Sequence, residues 1–469
     1  MSNAREQGSS AGITRRTFLK ATGAATAGLA MAPVILGAEA KAAPKEINIA
    51  LIGAGAQGFK MLTPQILKIP GVRFKAVCDI WPYFQGYAAR FLKSNKHEVN
   101  VYADYQDMLA KEKGLDAAIV ATPDWMHAEH SIACMKAGLH VYCEKEMSND
   151  IAKAKEMVLA SRETKRLLQI GHQRRSNPRY LFSLQKIIQE AKLLGRITQV
   201  YGQWNKSVEA SMPRGAAKGI EPPADTLKKY GYDSLAQFLN WRWYKKYGSG
   251  PIADLGAHQI DVFGWFLGAE PSSVMAAGGK DYFKDYEWYD NVMCIYEFPT
   301  ASGMVRALYE VLTTTSARSY YESFMGTDGT LNLSERPGQC RLYAEGHLTP
   351  SEEDAKKGVK HPWEPWVKKG YIIKLDTPDE PKEKETKPDV QAIIDVYKSP
   401  PPTVFLLNKD VESAQHTAHL ENFFAAIRGE EKLNCPGEVG YATAVQVLRV
   451  NEAVAARKVL EFKPEEFKA

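Results

Sequence analysis

Cysteine is scarce in this 469-residue chain: the six residues at 78, 134, 143, 294, 340 and 435 form no CxxC pair and no spacing that a metal site requires. No metal is therefore expected. Cys78 and Cys143 lie in apolar runs and read as packed, free thiols. Charge of one sign is equally sparse: the formal net charge is +5 with no basic cluster, which leaves nothing to hold nucleic acid. A strongly apolar run is missing too. The uncharged stretch at 21–38 is mostly Ala, Gly and Thr, too weakly apolar for the ~20-residue span that a bilayer needs, so no stable membrane anchor is expected. There is no internal repeat. What is present, 45% hydrophobic and 25% charged residues, suits a soluble globular protein of two or three domains.

The stretch "TRRTFLKATGAA", Thr14–Ala25, places Arg15 and Arg16 before small, uncharged residues, and "AEA" at 38–40 offers a small-x-small cleavage site. Residues 1–40 therefore read as a twin-arginine export signal, and the protein as periplasmic. Export of an already folded chain also suits cysteines left unpaired.

From Glu46 onward, short β-branched runs alternate with segments of helical length. "INIALIG", "RFKAVCD", "VNVYAD", "LDAAIVAT", "HVYCEK" and "LLQIG" are the runs. This alternation predicts a parallel sheet with helices on both faces, an α/β Rossmann domain over 45–172. A helix is expected from about Pro178 to Gly195. Longer alternating strands follow, "SSVMAAGG", "NVMCIYEF", "GMVRALYEV" and "YYESFMGT", with a hairpin turn at Asp328-Gly329. They predict an α+β domain over 173–469 with an open, predominantly antiparallel sheet that binds substrate and supports oligomerisation. Residues 345–402, rich in Lys, Glu and Pro, read as a surface excursion. Two helices close the chain, the first with Leu420, Phe423, Phe424 and Ile427 on one face; they are expected to pack back on the first domain.

"GAGAQG" sets Gly53, Gly55 and Gly58 in G-x-G-x-x-G spacing after a strand and before a helix. Glycine is needed there for the turn, for approach of pyrophosphate and for helix packing. Asp79 ends the next strand, where a carboxylate accepts from ribose hydroxyls and repels a 2′-phosphate, so NAD is expected rather than NADP. Gln57 and Ile80 flank these positions. Polar groups then follow successive strands: Thr122, Asp124 and His127; Glu144 and Lys145; His172, Gln173, Arg174 and Arg175. In a parallel sheet these ends share one edge and should line one crevice, with Thr122, His127, Glu144 and Lys145 at the cofactor and His172, Arg174 and Arg175 at the substrate. In "GSGPIADLGAHQID", Asp254, His258 and Asp261 fall at i, i+4 and i+7. That spacing suits a carboxylate orienting a general base, and equally a helix-dipole acid beside a packed histidine. Trp204 and Asn205 in "WNKS", together with "NWRWY" (240–244), could stack on sugar faces, and "HPWEPW" (361–366) could cap the crevice; core packing is the commoner fate of such rings.

The glycine loop, "CEKE" and "GPIADLGAHQID" together resemble the Gfo/Idh/MocA oxidoreductases, and the resemblance covers nearly all of the chain after residue 40. It implies tightly held NAD(P), sugar or polyol substrates and assembly, as a dimer or tetramer, through the sheet. It also implies that Lys145 and His258 flank the reacting hydroxyl, His258 taking its proton with support from Asp254 while Lys145 stabilises the alkoxide. The family's E-K-P motif becomes Glu144, Lys145 and Glu146 here; the extra carboxylate is expected to hold Lys145 charged. Export sharpens the expectation, because NAD is scarce outside the cytoplasm and must be recycled within the site. A sugar-to-sugar oxidoreductase does this. So does redox-assisted glycoside cleavage, in which transient oxidation permits elimination, hydration and re-reduction. The same residues serve both, and a cofactor-loaded scaffold is the non-enzymatic alternative.

Overall fold

The computed structural model describes residues 44–375, 402–408 and 416–469, so the export signal expected at 1–40 lies outside the described residues. Six strands, β1 (Ile47–Ile52), β2 (Val72–Cys78), β3 (Asn100–Tyr102), β4 (Ala117–Val120), β5 (His140–Cys143) and β6 (Leu168–Ile170), build a parallel sheet in the order β3-β2-β1-β4-β5-β6. Its central strands are buried along their length, which is why they read as unbroken apolar runs. The order reverses between β1 and β4, and that switch point faces the glycine loop after β1.

The second sheet has ten strands. In chain order they are β7 (Ile197–Asn205), β8 (Ser273–Gly279), β9 (Asn291–Thr300), β10 (Gly303–Leu312), β11 (Tyr320–Gly326), β12 (Gly329–Leu333), β13 (Arg341–Ala344), β14 (Ile372–Lys374), β15 (Thr403–Leu407) and β16 (Leu460–Glu461). They are ordered β14-β15-β13-β12-β11-β7-β10-β9-β8-β16, and all described pairings are antiparallel except β7 with β10. One face is covered by helices Ala257–Leu267 and Gly437–Ala456, with Phe263, Tyr296, Tyr309 and Val445 in the shared core. The other face leaves Met275, Met293, Ile295 and Met304 exposed.

Two readings change. The region 345–402 is not wholly a surface excursion: β14 joins the sheet edge beside β15, and Trp363 is buried against Phe405, so "HPWEPW" packs the second sheet instead of capping a crevice. The helix from Pro178 is α-helical to Phe182 and continues with π-type hydrogen bonding through Ser183–Glu190. Leu420, Phe423 and Phe424 of helix Thr417–Ile427 share a core with Ile49, Phe74 and Tyr142 of the first sheet, so this late helix packs back on the first domain as expected. All six cysteines are buried and free. No helix among the described residues is long and apolar enough to cross a membrane.

Candidate functional site

The glycine loop has the shape its spacing requires. Gly53 sits at φ +92°, donates its N–H to Cys78 O at 2.8 Å, and a Cβ there would lie 2.6 Å from Ala121 O. A Cβ at Gly58 would collide with Gly53 O, whereas one at Gly55 would have no atom within 4 Å. The first and third glycines thus close the turn, and the second opens a cradle over backbone amides where a pyrophosphate fits. Asp79 braces this loop, accepting from Ala54 N at 2.7 Å and Trp81 N at 2.8 Å; burial pushes its carboxyl up to about 6, the two backbone donors opposing the shift. Gln57 Nε2 donates to Glu144 Oε1 at 3.1 Å and lies 3.2 Å from His416 Nε2, the residue that precedes helix Thr417–Ile427. These residues fit NAD. Gly58→Ala is expected to cost roughly tenfold or more in retained nucleotide together with a lower Tm, since only backbone can yield; unchanged nucleotide absorbance in the purified variant would remove the loop from the cofactor site.

The other strand ends meet at the same edge. Thr122 Oγ1 lies 3.1 Å from His130 Nδ1, and His127 sits between Thr122 O and Glu146 O, 2.7 Å from each. Asp124 is buried beside the charges of Arg242, Lys145 and Asp254, and burial carries its carboxyl to about 7 against the pull of the two cations.

Lys145 projects from the end of β5 into this edge, and the Lys145–Glu146 peptide bond is cis. Its ammonium donates to Asp254 O at 2.5 Å and pairs with Asp254 Oδ1 at 3.6 Å. Glu146 does not serve as its counter-ion. That carboxyl is 1% exposed and accepts from Met147 N at 2.7 Å. Burial raises it to about 8, with Met147 N and Lys145 pulling the other way, so burial works against the second charge expected at Lys145.

Asp254 and His258 are likewise not a hydrogen-bonded pair. Residues Ile252–Gly256 carry π-type bonding, so positions four apart no longer stack as in an α-helix, and Asp254 instead takes Arg242 Nε at 2.7 Å alongside Lys145. Against the cost of burial, Arg242, Lys145 and Lys206 hold the Asp254 carboxyl well below the usual range. His258 is 8% exposed and stacks on Trp204, ring centroids 5.5 Å apart; its Nδ1 is buried without a partner. Burial, then Lys145 and Arg174, keep the imidazole neutral. A neutral base beside a fixed ammonium is a pairing suited to taking a hydroxyl proton while stabilising the oxygen left behind.

The substrate set read from the sequence divides. Arg174 is 1% exposed and ion-paired with Glu322 and with Glu335 at 3.2 Å, so it ties the two sheets together and is closed to a ligand. Arg175 is spent on Asp261, with hydrogen bonds of 2.8 to 3.0 Å. Trp204 stacks on Tyr320 at 4.3 Å as well as on His258; it positions the imidazole and does not offer a face to a sugar. Asn205 donates to Ala317 O at 3.0 Å, its Oδ1 left without a partner. His172 is 1% exposed with neither ring nitrogen partnered, and burial lowers it to about 4.

The residues missed come from the chain between β7 and the helix that carries His258. This segment folds over the parallel sheet: Trp81 Nε1 donates to Ile220 O at 2.5 Å, Trp125 packs edge-on to Tyr232 and Tyr247, and Ile80 joins the same cluster. It delivers Arg242 from "NWRWY" to Asp254 and roofs a cavity of about 130 Å³ between them. The aromatic residues around Arg242 were the visible signal; the arginine among them does the electrostatics, its guanidinium 4.2 Å over Trp241.

Comparison with known proteins agrees with this geometry. Residues 47–172 match the oxidoreductase family with an NAD-binding Rossmann fold, and residues 225–332 the GFO/IDH/MocA C-terminal domain. A Glycosyl hydrolase family 109 protein of Shewanella baltica is 31% identical over 176 residues, 33% of this chain and 38% of that protein. The 4-carboxy-2-hydroxymuconate-6-semialdehyde dehydrogenase of a Sphingobium species is 34% identical over 142 residues, 30% and 43% of the two chains. The matched stretch thus spans about two fifths of these relatives. Among solved structures, a WlbA dehydrogenase of Chromobacterium violaceum in complex with NADH and UDP-GlcNAcA superposes with TM-score 0.61 at 19% identity, covering 90% of this chain and 99% of that one. An aldose-aldose oxidoreductase of Caulobacter crescentus superposes with TM-score 0.60 at 16% identity, covering 89% and 100%. These two share the fold.

Proposed function

The chain belongs to the Gfo/Idh/MocA oxidoreductase family, and on that premise we propose that it oxidises a carbohydrate hydroxyl with a tightly held NAD recycled in the same site. The observation that carries this reading is the Gly55 cradle and the Lys145 ammonium at one sheet edge, with a neutral His258, its Nδ1 unpartnered, within reach of the Lys145 charge. Bound NAD would supply the hydride acceptor. His258 takes the hydroxyl proton, Lys145 stabilises the developing alkoxide, and Asp254 with Arg242 fixes Lys145 in place. Export through residues 1–40 belongs to the proposal: away from the cytoplasmic pool, a preloaded cofactor must give its hydride to a second carbohydrate. The test is a ring-deuterated aldose mixed with holoprotein. Deuterium should reach the bound nicotinamide and leave with a second sugar; its absence from the cofactor would overturn the reading.

Redox-assisted glycoside cleavage is the second reading, favoured by the similarity to family 109 proteins. A second copy of the chain is proposed to cover Met275, Met293, Ile295 and Met304 on the open sheet face. Met293→Glu should then shift the light-scattering mass from an oligomer to a monomer; an unaltered mass would exclude that face.

A further inference from the structure

The cavity roofed by the segment after β7 holds more positive charge than its acids balance. Lys145 and Arg242 share one carboxylate, Asp254. Lys206 and Arg214 also line or border that carboxylate's surroundings, and neither side chain has an ion pair or hydrogen bond among the described residues. Lys206 is half-buried, so its side chain is partly withdrawn from water, with no hydrogen-bond acceptor among the described residues. Burial, then the repulsion of Arg214, Arg242 and Lys145, lowers its pKa, while Asp254 alone opposes them. The wall between them contributes Ser211, buried to 4% exposure, whose Oγ has no hydrogen-bond partner. Arg242 uses only Nε on Asp254, leaving the rest of its fork free. A half-buried ammonium, the exposed guanidinium of Arg214 at the rim and the buried, orphaned hydroxyl of Ser211 around one small cavity form a set of donors with no acceptor among the described residues.

We propose that the substrate is an anionic carbohydrate whose carboxylate or phosphate is held by Lys206, Arg214 and Ser211, in the cavity that Asp254 and Arg242 also line. This rests on the oxidoreductase reading and narrows it to oxyanion-bearing sugars of monosaccharide size. A guanidinium fork and an ammonium both match such groups, the half-buried ammonium more strongly than the exposed fork of Arg214. Asp254 attracts Lys206 too, but its single charge is shared among Arg242, Lys145 and Lys206, which leaves the surroundings net positive.

The experiment compares D-glucuronate, D-glucose 6-phosphate, D-glucose and methyl glucoside with the wild-type holoprotein and with Lys206→Glu and Arg214→Gln. Nicotinamide reduction is followed, and binding is measured separately by calorimetry. In the wild type, kcat/KM for at least one anionic sugar should exceed that for its neutral parent by about tenfold or more. Lys206→Glu should erase or invert that ratio, and the effect should shrink at high salt. Whether glucuronate or the 6-phosphate leads identifies the oxyanion. Equal use of neutral and anionic sugars, or a ratio untouched by both variants, overturns the proposal while leaving the oxidoreductase reading intact. If no sugar reduces the cofactor, anion binding that is sensitive to Lys206→Glu keeps this site and overturns the oxidoreductase reading. Absence of both overturns both.

Discussion

Lys145→Met is expected to lower kcat by about 10²–10³-fold with little change in bound NAD, the cost of removing one preorganised donor to a developing oxyanion. The ammonium is held from two sides by Asp254, through the backbone oxygen at 2.5 Å and Oδ1 at 3.6 Å, so it is aimed before substrate arrives. Because the interaction strengthens as the hydroxyl becomes an alkoxide, the loss should fall on kcat more than on KM. Lys145→Arg should recover little, since a planar fork cannot occupy the position of a point charge. Single-turnover absorbance of the holoprotein is the measurement; a variant with wild-type kcat would take Lys145 out of the chemistry.

His258→Gln is expected to cost about 10²–10⁴-fold, the range for a lost general base. The pH profile carries a second expectation. Burial and the neighbouring cations depress the His258 pKa, so the neutral, base-competent form persists below the usual value of 6.5. Activity should therefore not fall as pH drops through 6.5 on account of this residue. The Asp124 carboxyl, carried to about 7 by burial, titrates in the neutral range instead. An acidic limb near 7 that vanishes in Asp124→Asn, with His258→Gln still inactive, assigns that limb to Asp124. Full activity in His258→Gln would refute the base assignment.

Much of the first sheet was legible because its strands are buried on both faces and read as apolar runs with glycine at the first turn. The hairpins β8 to β10 were legible from strict alternation, as in "NVMCIYEF". β7 was not: it is a central strand, yet "ITQVYGQWN" carries Gln199, Gln203 and Asn205, and its partners β10 and β11 lie about a hundred residues away. The sites divide along the same line. Glycine geometry is local and could be read from spacing. The fate of Arg174 depends on Glu322, 148 positions distant, and that of Asp254 on Arg242 and on a π segment that breaks the i, i+4 expectation. Polar residues at a strand end announce a crevice, but long-range ion pairs decide which of them face it.

Hydride exchange between a carbohydrate and retained NAD is tested most directly with protein lacking residues 1–40 and purified without added nucleotide. It is mixed with a panel of glycosides while nicotinamide absorbance and released aglycone are recorded together. A burst of reduced cofactor without aglycone, reversed by adding a keto sugar, is the expected result. Steady aglycone release with no net change in the cofactor would contradict net oxidation and establish the redox-assisted glycosidase, and silence in both signals would leave a cofactor-loaded scaffold.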